Sequence, residues 1–206
     1  MVQGLPQSGE ATDVFVTWNR IGRADQVAKS FRGQVLVAEN AAWGNDFLGR
    51  RWCSLARDMH NTAGRFPIGG SDRFDGLHVP LVEWREAGER VVLPQRGIGP
   101  VEVAMPRDWT AKQSGRVRLH PGTKACLALE QDLSQAGEVV TWGSGAAIRA
   151  LMWGIRVESH MPNWIGEQDN TDEGRVAMFR RLAWAQWTLE EIESGEPFER
   201  LIRCGC

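Results

Sequence analysis

The 206-residue chain has no tyrosine, three lysines and four cysteines (Cys53, Cys126, Cys204 and Cys206), none of them in a CxxC pair. So few cysteines do not make a disulfide scaffold, and a reducing cytoplasm is the expected location. The Cys204-Gly205-Cys206 tail reads as two incidental thiols. No apolar run approaches the roughly 20 residues of a membrane span. The opening MVQGLPQSGEATD has no basic segment leading into an apolar stretch, so neither a span nor a signal peptide is expected. With a formal net charge of −2, a broadly cationic nucleic-acid coat is excluded. HExxH, GxSxG and the Walker loop GxxxxGK[ST] are all absent, so zinc-hydrolase, serine-hydrolase and P-loop readings fall away.

What is present can build a core: 42% of residues are hydrophobic and 24% charged, the balance of a globular chain of one or two small domains. There are 21 arginines and 10 tryptophans. Arginine forks suit phosphates, and indole faces suit sugars or bases. GC-rich coding produces the same bias, so these counts select no function alone.

Periodicity predicts an α/β protein. Val14 to Trp18 reads as a buried strand, Ala24 to Phe31 as a helix with Gly33 behind it, and Val35 to Ala38 as a second strand. Together they form a βαβ unit with parallel strands. A short helix is expected near Trp52 to Met59, and a third strand at Val91 to Leu93 running into a Pro/Gly loop. Around Trp109 to Gly115 the chain turns polar, which places a boundary between residues 1–112 and 113–206. The second half reads as strand Arg116 to Leu119, helix Lys124 to Gln135 capped by Gly137, and strand Val139 to Trp142. Helix Ala146 to Trp153, strand Ile155 to Glu158 and one long C-terminal helix from Asp172 complete it. The apolar stripe Met178, Leu182, Ala185, Leu189 and Ile192 carries that last helix. Two small Rossmann-like lobes with parallel sheets and a cleft between them are the expected architecture.

In open α/β sheets ligands bind where strands end and helices begin. Gly143-Ser144-Gly145 lies at such a place: small residues admit a phosphate to the backbone, and the following helix offers N–H groups and a positive dipole end. His120-Pro121-Gly122 ends the preceding strand of the same half. Arg96, in the loop after the third strand, has the fork that pairs with a diphosphate. Glu39 ends a buried strand, where a carboxylate is costly unless paired or functional.

The ordered series Arg118-Leu119-His120-Pro121-Gly122, Asp132-Leu133, Val139 to Ala147, then Gly154-Ile155-Arg156-Val157 resembles the donor-binding half of GT-B glycosyltransferases, closest to capsule-polysaccharide and related sugar-nucleotide enzymes. Arg156 stands where that family usually has proline. The resemblance spans about a fifth of the chain. Across the first half, Thr17 to Arg20, Ala38 to Asn40, Trp43 to Asp46, His60-Asn61 and Pro94 to Gly97 look similar to small bacteriophage and prophage proteins.

The resemblance implies transfer of a sugar from a nucleotide-activated donor to an acceptor hydroxyl, with no metal required. The donor would meet Arg96, His120, Gly122, Gly143, Ser144 and Gly145, with Glu158 and Asp169 holding sugar or ribose hydroxyls. Residues 1–112 would hold the acceptor, with Glu39 as general base and Asp46 and His60 as rivals. Trp43 and Trp164 are expected to stack on a sugar or base, and Trp184 and Trp187 to pack. The acceptor is a glycan or a modified base in phage DNA. For DNA, residues 1–112 offer only 14 basic against 13 acidic side chains, a net of +1, so a local cluster such as Arg50, Arg51 and Arg57 would have to serve. A sugar-nucleotide epimerase and a non-catalytic binding protein on the same scaffold are the alternatives.

Overall fold

A computed structural model describes residues 9–60, 63–95, 101, 103–120, 122 and 127–203. The expected βαβ unit opens it: β1 (Val14–Trp18), α1 (Arg23–Ser30) and β2 (Gln34–Asn40), with β1 and β2 parallel. β3 (Trp52–Arg57), α2 (Asp72–Asp75), β4 (Glu89–Leu93), β5 (Arg116–Val117), α3 (Leu129–Asp132), β6 (Ala136–Thr141), α4 (Gly145–Met152) and β7 (Arg156–Ser159) follow. The chain closes with α5 (Asp172–Ala183), β8 (Gln186–Thr188), α6 (Leu189–Ser194) and α7 (Glu196–Arg203).

The strands form two four-stranded sheets. One, in the order β5-β4-β6-β7, is parallel throughout. The other, in the order β1-β2-β3-β8, is mixed, because β3 and β8 run antiparallel to their neighbours. The expectation of two parallel sheets is therefore corrected for the β1-β2-β3-β8 sheet. The cause is β3, expected as a helix. Its residues Trp52 to Ala56 are all buried, and a strand covered on both faces loses the alternation that identifies it.

The long C-terminal helix is also corrected. α5 begins as expected, with the Thr171 side chain accepting the Gly174 N–H. It stops at Trp184, and the chain pairs through β8 with β3 before restarting at Thr188. Thr188 and Glu191 form a reciprocal capping box there. The helix expected over 124–135 is described only as the short α3, and Gly137 lies inside β6 rather than at a cap. α1 ends at Phe31 in an extended conformation. Gly33 serves a close approach instead: a Cβ there would run into the Asp13 carbonyl. β1 is buried on one face only, with Phe15 packed under α1 beside Ala28 and Val35, while Val16 and Trp18 are exposed.

One apolar cluster joins the sheets. It runs from Trp43 and Trp52 through the stacked rings of Phe74 and Phe179, 5.3 Å apart, to Val91, Val139 and Leu151. The boundary expected at 112/113 falls between β4 and β5, which pair with each other, and β8 returns to the sheet of β1–β3.

Candidate functional site

The C-terminal ends of five parallel strands border one cavity of about 490 Å3. Asn19 follows β1, and Glu39 and Asn40 end β2. Pro94 and Gln95 follow β4, His120 follows β5, and Gly143, Ser144 and Gly145 follow β6. The sequence-level pairing of His120 with the Gly-Ser-Gly turn is thus seen in space, and Glu39 and His60 line the same cavity.

The turn after β6 is held by backbone bonds to the side chains of buried Thr141 and half-buried Gln95. The buried Thr141 hydroxyl donates to the Leu93 carbonyl and accepts the Ser144 N–H, both at 2.9 Å. Gln95 Nε2 donates to the Gly143 carbonyl at 3.0 Å. Gly143 sits at φ +74°, and a Cβ there would come 2.5 Å from Met161 Sδ. Ser144 Oγ accepts the Ala146 N–H at 3.3 Å, which makes it the N-cap of α4. At Gly145 a Cβ would meet nothing within 4 Å, so the backbone is open on that side. One turn further along α4, Arg149 also lines the cavity, its guanidinium 5.0 Å from the Trp153 ring centroid.

His120 is exposed, and its Nδ1 accepts the Gly122 N–H at 3.0 Å. The ring's donor is then Nε2–H. Gly122 therefore orients His120 and is not itself part of the lining.

On the opposite wall, half-buried Glu39 stands beside Asn40. Asn40 Oδ1 accepts from Asn45 Nδ2 at 3.0 Å, and Asn45 Oδ1 accepts the Ala41 N–H at 2.9 Å. His60 Nε2 accepts the Arg20 N–H at 3.1 Å, which leaves Nδ1 as the protonated nitrogen. Burial pushes the His60 pKa down, the Arg20 charge adds to this, and Asp25 opposes it.

Other expected residues lie elsewhere. Asp46 is exposed, and its carbonyl closes the Phe47–Gly49 turn by accepting the Gly49 N–H at 3.0 Å. Glu158 borders a second cavity of about 400 Å3. Its carboxylate accepts from His160 Nε2 and from Arg90 Nη2, each at 2.9 Å, and these bonds, His160 foremost, hold its pKa down. His160 is itself held by the Trp109 indole N–H at 3.1 Å. Asp169 is bound to the Thr171 hydroxyl at 2.6 Å and amide at 3.0 Å, which lowers its pKa and fastens the turn into α5. Trp43 and Trp164 are each 2% exposed and belong to the core, which leaves no face for a sugar. Trp184 and Trp187 do pack, 6.3 Å apart edge to face, though Trp187 is in β8. Arg96 lies outside the described residues.

The sequence reading missed Arg149 and the Asn40–Asn45 pair. For Arg149 a signal existed: it follows Gly145 by four residues, which puts both on one helix face.

Among the described residues no group of histidine, cysteine, aspartate and glutamate side chains is placed to hold a metal, and no helix is long and apolar enough to cross a membrane. Comparison with family models, curated proteins and solved structures finds no match to this chain. The lining thus brings the α4 N-terminus, the His120 imidazole and the Arg149 guanidinium into one cavity with the Glu39 carboxylate and the amides of Asn19, Asn40 and Asn45.

Proposed function

We propose that the chain is a nucleotide-sugar-dependent glycosyltransferase whose donor lies against the β4–β6 sheet and whose acceptor lies against the β1–β3 sheet. The observation that carries this reading is that Ser144, Gly145, His120 and Arg149 line one cavity with Glu39. In this reading the two sheets stand for the two lobes of a reduced GT-B-like enzyme acting in the cytoplasm. A cavity of about 490 Å3 is in the range that holds small ligands and cofactors.

The chemistry divides between the walls. Glu39 takes the proton of the acceptor hydroxyl as its oxygen attacks the anomeric carbon. The bond from that carbon to the phosphate oxygen breaks, and its electron pair leaves with the nucleoside diphosphate. The added charge is met by the α4 N-terminus, by His120 Nε2–H and by the Arg149 guanidinium, groups fixed before the reaction begins. His60 suits hydrogen-bond donation from Nδ1, since its basic nitrogen is occupied by the Arg20 amide. Asp46 lies outside the lining, so base catalysis rests on Glu39.

The test is a panel of nucleotide sugars and acceptors, with release of nucleoside diphosphate as readout. Glu39→Gln keeps the side chain's shape and should lose at least about 10²-fold in turnover with donor affinity unchanged. Arg149→Gln should instead weaken donor binding by roughly 10- to 100-fold. Full turnover in Glu39→Gln would remove the assigned base. Donor binding without turnover in the unaltered protein would favour a second reading, a binding protein that keeps the cavity without the chemistry; the reliance on a single candidate base gives that reading its weight.

A further inference from the structure

We propose that β1 is a self-association edge: two copies of the chain pair antiparallel through Val14–Trp18 across a twofold axis at Val16, joining their sheets into one. The inference is independent of the chemistry in the cavity and goes beyond the transferase reading.

Among the described residues β1 stands at the end of the order β1-β2-β3-β8. Its bonds to β2 fix which backbone groups face outward. The Asp13 carbonyl accepts the Gln34 N–H at 2.9 Å, and the Asn19 N–H donates to the Ala38 carbonyl at 2.8 Å. In a parallel pair every second residue bonds the neighbouring strand, so Asp13, Phe15, Thr17 and Asn19 face β2. The N–H and C=O groups of Val14, Val16 and Trp18 point the other way. These are also the residues of β1 whose side chains are exposed, by 37%, 49% and 57%.

The exposed stripe continues a core. Val16 lies beside Leu36 and Trp18 beside Ala38 in the ladder. Leu36 and Ala38 belong to an apolar cluster with Leu55 of β3 and with Phe198 and Leu201 of α7. That cluster buries this face of the sheet over β2 and β3, and the same face emerges exposed at β1.

An apolar edge without charge or proline is the kind that accepts another strand, and Val-Phe-Val-Thr-Trp carries neither. The lack of charge also selects the occupant. Across a twofold axis each residue near the axis meets its own copy, so a charged edge repels itself. This edge does not. Antiparallel pairing centred on Val16 sets Val16 against Val16 of the second copy and Val14 against Trp18 of the second copy. Each such pair exchanges both outward backbone bonds, and valine across from tryptophan is a favourable cross-strand contact. The edge and its stripe are smaller than the roughly 800 Å2 per partner of a standard interface, so monomer and dimer exchange with concentration.

Sedimentation equilibrium on the full chain tests this, with reductant present so that cysteine cross-links do not count. The unaltered chain should pass from monomer toward dimer between micromolar concentration and about 1 mM. Val16→Lys and Val16→Glu, made at an exposed position, should each remain monomeric. Mixed in equal amounts they should associate again, because opposite charges then meet at the axis. Trp18→Ser, at a second exposed position, should weaken the dimer about tenfold or more, and it carries the test should a charged variant fail to fold. A chain that stays monomeric at every concentration would overturn the inference, whether its own residues 1–8 or another protein takes the edge. So would a dimer that Val16→Lys leaves unchanged, or a mixture of the two folded charged variants that stays monomeric.

Discussion

The Thr141 hydroxyl accepts the backbone N–H of Ser144 at 2.9 Å, so the end of β6 dictates where the Gly-Ser-Gly turn points. The same hydroxyl donates to Leu93 and ties the turn to the end of β4. Thr141→Val keeps the shape but removes the hydroxyl's bonds to the buried Leu93 carbonyl and to the half-buried Ser144 N–H. It should cost about 1–3 kcal/mol of stability by chemical denaturation and weaken nucleotide binding, while Thr141→Ser should retain both.

The two glycines of the turn should respond in opposite ways. Gly145 lies in α4 with open space beside it, so Gly145→Ala should be neutral or stabilise by up to about 1 kcal/mol. Gly145→Val should also fold. Both should reduce nucleotide affinity, valine more, because the new side chain occupies the anion wall. Gly143→Ala should instead cost about 1–3 kcal/mol, since φ is +74° and Met161 and Trp164 crowd the position. Thermal melts and nucleotide titrations on the same three variants check the contrast. A Gly145→Val protein with unchanged affinity would remove the turn from the donor site.

Most of what positions this cavity was legible in the sequence, because β1, β2, β4 and β6 each end at a glycine, asparagine or proline turn signal. The Gly-Ser-Gly turn, His120 and Glu39 were reached from strand ends alone. The failures share a physical cause. β3 is covered on both faces and shows no alternation, so it read as a helix. β8 is three residues long and falls inside an apolar stripe that keeps helical period from Met178 onward. The Thr188-x-x-Glu191 capping box was the signal that a new helix starts. Trp43 and Trp164 sit among polar neighbours in sequence, yet tertiary packing buries both, and no local pattern reports that. Glu158 lies in β7, where a strand was expected, but Arg90 and His160 use its oxygens, and Thr171 uses those of Asp169.

Acid should destabilise the protein through His60. Its pKa is lowered in the folded state, by burial first, while in the unfolded chain it stays near the ordinary value of about 6.5. Above that value both states are neutral and the group adds no pH dependence. As pH falls below about 6.5 the unfolded chain takes up a proton that the folded protein resists, so stability is lost until the folded pKa is reached. Denaturation midpoints measured from pH 7.5 down to 5 should show this decline, and His60→Gln should flatten it. An equal slope in the variant would assign the decline to other groups.

The central claim is that one cavity holds a nucleotide's phosphates on the α4 side and faces them with Glu39. A crystal structure of the chain soaked with UDP, GDP or ADP tests this directly. The account predicts phosphate oxygens within hydrogen-bonding distance of the Ser144–Gly145 backbone and Arg149, with Glu39 across the cavity from them. A nucleotide bound in the second cavity beside Glu158 and His160, or anywhere away from Gly145, would contradict it.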